Sequence, residues 1–138
     1  MLDDQNRIED LTAKYCDLLY FGDVDLIPVC FHDEASVSNL NGDEMIAIDM
    51  AVFLERIRNR PSPASIDEPR NDIVHMIDQF SPTTAMVKVE VSILGDRFYD
   101  YLTLLKPAGP WQLTTKLLHR SFGACRPAIF GSACRPVN

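Results

Sequence analysis

The stretch Ala85-Met86-Val87-Lys88-Val89-Glu90-Val91-Ser92-Ile93 puts a small or branched apolar residue at every second position, with longer or more polar side chains between. Successive side chains of a strand point to opposite faces, so this period of two predicts a β-strand with one buried face. Gly95-Asp96 follows as a turn, and Ala108-Gly109-Pro110 marks another. Working outward from this strand, the sequence predicts strands near 71–80, 83–94, 96–106 and 110–122. Tight turns between sequence neighbours make the sheet antiparallel.

Upstream the apolar period becomes helical. Ile8, Leu11, Tyr15, Leu18 and Leu19 predict a helix over 4–21, with Asp3 and Asp4 at its positive end and Gly22 as its stop. A second, short helix is expected over about 23–31, capped by Asp23 and disturbed by Pro28. Residues 34–40 and 44–48 read as short strands around the turn Asn41-Gly42-Asp43. Asp49 caps a third helix that carries Met50, Phe53, Leu54 and Ile57 on one face and ends near Asn59, before Pro61. Residues 60–70 form a proline-stiffened loop. The order α-α-β-β-α-β-β-β-β, with helices grouped ahead of a meander, predicts an α+β fold.

The 138 residues suit one domain, and 46% apolar content suits a packed core. With 20 acidic and 13 basic residues the net charge is −7, which argues against nucleic acid and against an anionic membrane surface. No apolar run approaches the ~18 residues of a membrane span. The acidic start Met1-Leu2-Asp3-Asp4 differs from a secretory signal, so a cytoplasmic location is expected. Cys16, Cys30, Cys125 and Cys134 form no C-x-x-C pair, and His32, His75 and His119 are far apart in sequence. No metal site and no cofactor are expected. Nucleotide loops of the G-x-G-x-x-G or Walker type are missing as well.

Several segments together carry a family resemblance. They are Tyr15-Cys16-Asp17-Leu18-Leu19-Tyr20-Phe21-Gly22-Asp23, Phe31-His32-Asp33-Glu34-Ala35-Ser36-Val37, Arg60-Pro61-Ser62-Pro63-Ala64, and Asp100-Tyr101-Leu102-Thr103-Leu104-Leu105-Lys106 followed by Trp111 and Lys116-Leu117-Leu118-His119. In this order they resemble the nuclear transport factor 2-like superfamily, and within it the branch called putative lumazine-binding, a sibling of the SnoaL-like polyketide cyclases. The resemblance implies a cone: three N-terminal helices packed on a strongly curved, mostly antiparallel sheet, with a pocket at the mouth. It covers about residues 5–122, so residues 1–122 are expected to form the cone domain and 123–138 a tail.

The superfamily includes ketosteroid isomerase-like enzymes, and their residues can be laid on this chain. Tyr15 matches the tyrosine that donates a hydrogen bond to the forming enolate. The general base falls on Asn39, an amide that cannot take a proton near neutral pH. The second acid of that site maps near Tyr99. Tyr15 also lies on the apolar stripe of its helix, where a core tyrosine with a satisfied hydroxyl is the more common reading. Asp100, between two tyrosines on its strand, points either into the cone or to solvent. His119 shares strand parity with Trp111, Leu113, Thr115 and Leu117, the more apolar face, where it reads either as a pocket acid or base or as a satisfied core or interface histidine. The catalytic candidates are therefore Tyr15, Asp100 and His119. The ligand-binding candidates are Tyr15, Asn39, Phe53, His75, Tyr99, Tyr101, Trp111 and His119.

Both faces of strands 71–80 and 96–106 are substantially apolar, whereas a sheet covered on one side should have one polar face. A homodimer through the outer sheet face is expected. In the tail, Ala124-Cys125-Arg126-Pro127 recurs as Ala133-Cys134-Arg135-Pro136. A reducing compartment disfavours a Cys125–Cys134 disulfide. The function that follows is binding of a small, neutral or apolar molecule inside the cone. The alternative is a SnoaL-like or isomerase-like enzyme using Tyr15 and a His or Asp acid–base.

Overall fold

The computed structural model describes residues 2–123, 126–127 and 134–135. Helix α1 (Leu2–Phe21) is followed by a 3-10 turn (Val24–Leu26), a single helical turn α2 (Ile27–Cys30), strand β1 (Phe31–Asn41), strand β2 (Glu44–Asp49) and helix α3 (Met50–Asn59). After a second 3-10 turn (Ala64–Ile66) come β3 (Ile73–Ser81), β4 (Thr84–Ile93), β5 (Asp96–Leu105) and β6 (Gln112–Ser121). A two-residue pair, β7 (Arg126–Pro127) and β8 (Cys134–Arg135), matches the two copies of the Ala-Cys-Arg-Pro sequence. The question of a Cys125–Cys134 disulfide falls on Cys125, which lies outside the described residues.

Local chemistry explains the boundaries. Gly22 takes φ +63, a left-handed conformation that ends α1, and Asp23 N–H returns to Leu18 O at 3.1 Å. The expected second helix divides in two, because Pro28 is tolerated only in a first helical turn, where its missing N–H would have had no partner. Asp49 caps α3 by accepting from Val52 N–H at 2.9 Å. Pro61 forces Arg60 out of the helical region, to φ −105 and ψ 152, and α3 stops there.

The main sheet has the order β2-β1-β6-β5-β4-β3. Every neighbouring pair is antiparallel except β1–β6, which is parallel. The sheet curves around α1 and α3, and three helices on a curved, mostly antiparallel sheet make the fold α+β, as expected. Its inner face carries Ala35 and Val37 from β1, Val87, Val89 and Val91 from β4, and Leu102 and Leu104 from β5. These pack on Ile8, Tyr15 and Leu18 of α1 and on Phe53 and Ile57 of α3.

One irregularity changes the reading of β6. Thr103 pairs with Thr115 while Leu104 pairs with Leu113, so Thr114 is an extra residue, a β-bulge. Thr103 Oγ1 lies 2.7 Å from Thr114 Oγ1 and 2.6 Å from Thr115 Oγ1. A one-residue insertion exchanges the two faces of everything beyond it. Trp111 and Leu113 face inward, and after the bulge Lys116 is the buried residue while Leu117 and His119 are exposed. The expectation that His119 shares a face with Trp111 and Leu113 is therefore corrected.

The loop between α3 and β3 is tied down at several points. Arg70 pairs with Asp17 and Asp72, each at 2.7 Å, and stacks over the rings of Tyr20 and Phe21. Glu68 holds the β4–β5 turn by accepting from Leu94 N–H at 2.7 Å and Gly95 N–H at 2.9 Å. Both turn residues have positive φ, 53 at Leu94 and 87 at Gly95, the requirement of a type I′ turn. Leucine is a costly occupant of that position, whereas Asn is tolerated. Leu94→Asn is expected to stabilise the fold by about 1 kcal/mol. A denaturant midpoint that rises with unchanged slope would agree, and an unchanged or lower midpoint would not.

Candidate functional site

Three side chains from three elements meet in the interior. Tyr15 comes from α1, Asp100 from the centre of β5 and Lys116 from β6 just past the bulge. Tyr15 O–H donates to Asp100 Oδ2 at 2.5 Å. Lys116 Nζ approaches the same oxygen at 3.8 Å. Asp100 is 1% exposed and Lys116 4%, so both charges are removed from water. The Lys116 ammonium also sits over two aromatic faces, 5.1 Å from the Tyr15 ring centre and 5.2 Å from that of Phe53. Asp100 Oδ1 is buried and, among the described residues, has no hydrogen-bond partner.

Burial sets the electrostatics. It pushes the Tyr15 phenol well above its ordinary range, and the charge of Asp100 adds to this. Burial lowers the Lys116 ammonium, with Asp100 opposing. Lowering of the Arg60 guanidinium has the same first cause, desolvation. Arg60 lies within electrostatic reach of Tyr15, Asp100, Lys116 and Arg120. Arg120 is itself engaged, paired with Asp96 at 2.6 Å and stacked over Phe98 and Phe122. Burial raises the Cys16 thiol to about 12 and the Cys30 thiol to about 11, so neither is a ready thiolate.

The structure places the candidates from the sequence in three groups. Tyr15, Asp100 and Phe53 converge, joined by Lys116. Asn39 shares the inner parity of Val37 on β1, is half-buried, and donates to Leu40 O at 3.2 Å. Trp111 is buried beside Asp4 of α1. The remainder lie on the outer face. Tyr99 and Tyr101 are 40% and 45% exposed, and His119 stacks loosely on Tyr99 at 6.2 Å. His75 lies 2.7 Å from Glu90 on that same side, so it points away from the interior. The face of β5 left open by the sequence is thus settled, with Asp100, Leu102 and Leu104 inward.

Lys116 is the residue that the sequence reading did not place at the site. The signal for Lys116 was the Thr114-Thr115 pair ahead of it, a place for a bulge, but nothing local fixes where a bulge falls. A cleft of about 550 Å³ opens elsewhere, between α2, α3 and the start of β1, lined by Ile27, Phe31, Met50 and Leu54 among others. Phe31 separates it from Tyr15, with ring centres 6.0 Å apart.

As a chemical device the cluster offers a fixed carboxylate, a phenol that holds its proton and a buried ammonium. Among the described residues, His32, Asp33 and Glu34 are the one group close enough to hold a metal ion, and they lie on the surface away from this cluster.

Comparison with known proteins agrees with the fold. The chain matches an NTF2-like protein of unknown function from Shewanella baltica OS155 at 22% identity and TM-score 0.77, over 87% of this chain and 95% of that one. A second NTF-2 like protein of unknown function, from Silicibacter pomeroyi DSS-3, matches at 19% identity and TM-score 0.76, over 86% and 96%. A ketosteroid isomerase-like protein from Erwinia carotovora atroseptica matches at 14% identity and TM-score 0.61, over 82% and 92%. No curated relative matches the sequence. The family model described as putative lumazine-binding matches residues 3–119, and this chain, nuclear transport factor 2-like in fold, belongs to that family.

Proposed function

We propose that the protein binds a small, largely apolar molecule at the inner face of the sheet, over Tyr15, Asp100 and Lys116. The observation that carries this reading is Asp100 Oδ1, a carboxylate oxygen with no donor in a residue almost wholly removed from water. Buried polar atoms are nearly always satisfied, and leaving one open costs about 1–3 kcal/mol, more for a charge. A ligand donor would satisfy it. Phe53 lies against the Lys116 ammonium, Leu102 and Val37 are strand neighbours of Lys116, and Leu118 is the strand neighbour of Asp100, so the surroundings are apolar.

A second reading is favoured by one contact. Tyr15 and Asp100 are in direct hydrogen-bond contact, which brings together a phenol and a carboxyl group, two kinds of group that acid–base enzymes use. Asn39 stands where that chemistry needs a base, which is why binding is the first reading.

Methyl-resolved NMR against a fragment set of flat heterocycles, lumazine included, locates the site. Shifts are expected to converge on Val37, Val89, Leu102 and Leu118. Shifts confined to Ile27 and Leu54, in the surface cleft, would contradict the proposal.

Tyr99, Tyr101, Leu105 and Leu117 form an exposed apolar stripe on the outer sheet face, and we propose that it pairs two copies of the chain. Sedimentation is expected to show a dimer at micromolar concentration and a monomer for Tyr101→Glu/Leu117→Glu. A native monomer would refute the pairing.

A further inference from the structure

Strands β1 and β6 are both irregular at the same level of the sheet. Phe31 pairs with Leu113 and the next pair is Ser36 with Thr115, so residues 32–35 arch away from β6. The bulge residue Thr114 lies opposite this arch. Two cavities meet here. The cleft between α2 and α3, of about 550 Å³, is walled by Ile27, Phe31, Met50 and Leu54. The other, of about 320 Å³, has an almost wholly apolar wall that includes Leu105, Pro107 and Thr114. His32 and Gln112 line both, so the cavities adjoin where the two strands part. Between the apolar walls stands a polar band. Gln112 is half-buried, and among the described residues no hydrogen bond engages its side-chain amide. His32 Nδ1 is taken up by its own strand, at 3.0 Å from Glu34 N–H and 3.1 Å from Asp33 Oδ1. That leaves Nε2 without a partner among the described residues.

We propose that these cavities are the two lobes of one further ligand site, and that it takes a neutral molecule in which a secondary amide joins two apolar groups. Each lobe removes one apolar group from water, and the amide falls at the polar band. A secondary amide carries one N–H donor and one C=O acceptor, and the side-chain amide of Gln112 offers the complementary pair. His32 supplies a second polar atom beside it. Charge argues against an acidic occupant, because the Asp33 carboxylate lines the cleft and the net charge of the chain is −7. A cationic end would lose its hydration in the apolar lobe without a partner there. Neither cavity is lined by Tyr15, Asp100 or Lys116, so this site is separate from the interior one and does not rest on the reading given for it.

The test uses the full chain and three probes: N-benzylbenzamide, its ester counterpart benzyl benzoate, which lacks the N–H, and N-methylbenzamide, which lacks one apolar end. Binding is read from methyl signals, Ile27 and Leu54 for the first lobe, Leu105 and Thr114 for the second. Leu105 also belongs to the outer stripe, so Thr114 reports its lobe independently. N-benzylbenzamide is expected to shift both lobes in one titration. It should bind about threefold or more tighter than the ester, for one hydrogen bond, and about tenfold or more tighter than N-methylbenzamide, for one buried ring. Gln112→Leu should bring amide and ester together while leaving the ester unchanged. Both comparisons in the native protein stand whether or not that variant folds. Shifts in one lobe alone, or none up to saturation of the probe, overturn the two-lobed site. Equal binding of amide and ester overturns the amide assignment. Shifts at Val89 and Leu102 in place of these methyls overturn this site and leave the interior reading standing.

Discussion

A carboxylate buried in the middle of β5 is the constraint around which the interior is arranged. Asp100 has strand neighbours on both sides, Val89 from β4 and Leu118 from β6, and it cannot reach water. Left alone, such a charge would cost several kcal/mol, a large part of the net stability of a domain this size. Three elements answer it. Helix α1 brings the Tyr15 hydroxyl, β6 brings the Lys116 ammonium, and α3 brings the Phe53 ring that faces that ammonium. The Thr114 bulge makes this pairing geometrically available. Without the extra residue Lys116 would point outward and His119 inward.

The same arrangement links the helices to the sheet beyond simple apolar packing. Tyr15 is fixed at both ends, by its hydrogen bond to Asp100 and by edge contact with Phe31. Phe31 packs on Phe53 in turn, with ring centres 5.5 Å apart. The loop after α3 is clamped from below by Arg70 and from the far side by Glu68, while Tyr20 O–H donates to Glu68 O at 2.7 Å. Arg60 therefore stands at the start of a tied loop.

Much of the fold was legible because its signals are local. The alternation over 85–93 names β4, Gly95 names a turn, Gly22 ends α1, and Asp49 starts α3. What escaped is non-local or depends on a count of one. The parallel β1–β6 pairing joins residues far apart in sequence, and no periodicity announces it. Period-two reasoning carried from Trp111 to His119 fails at Thr114, and with it the expected role of His119 inside the cone. Strand β5 was ambiguous for a physical reason: its outward residues include Tyr99, Tyr101 and Leu105, as apolar as the inward ones. Asp100 was visible as a candidate. Its burial was not, because the cation that makes burial tolerable lies on another strand behind a bulge.

The family and the fold agree with a ligand-binding cone. The central claim is that Asp100 and Lys116 act as one unit. A double-mutant cycle in stability, with Asp100→Leu, Lys116→Met and the pair, tests it most directly. Each single change should cost about 3 kcal/mol or more, because it strands a buried charge. The double change should cost less than the sum by about 2 kcal/mol. Losses that simply add, within about 0.5 kcal/mol, would show the two charges to be independent and would contradict the electrostatic basis of the site.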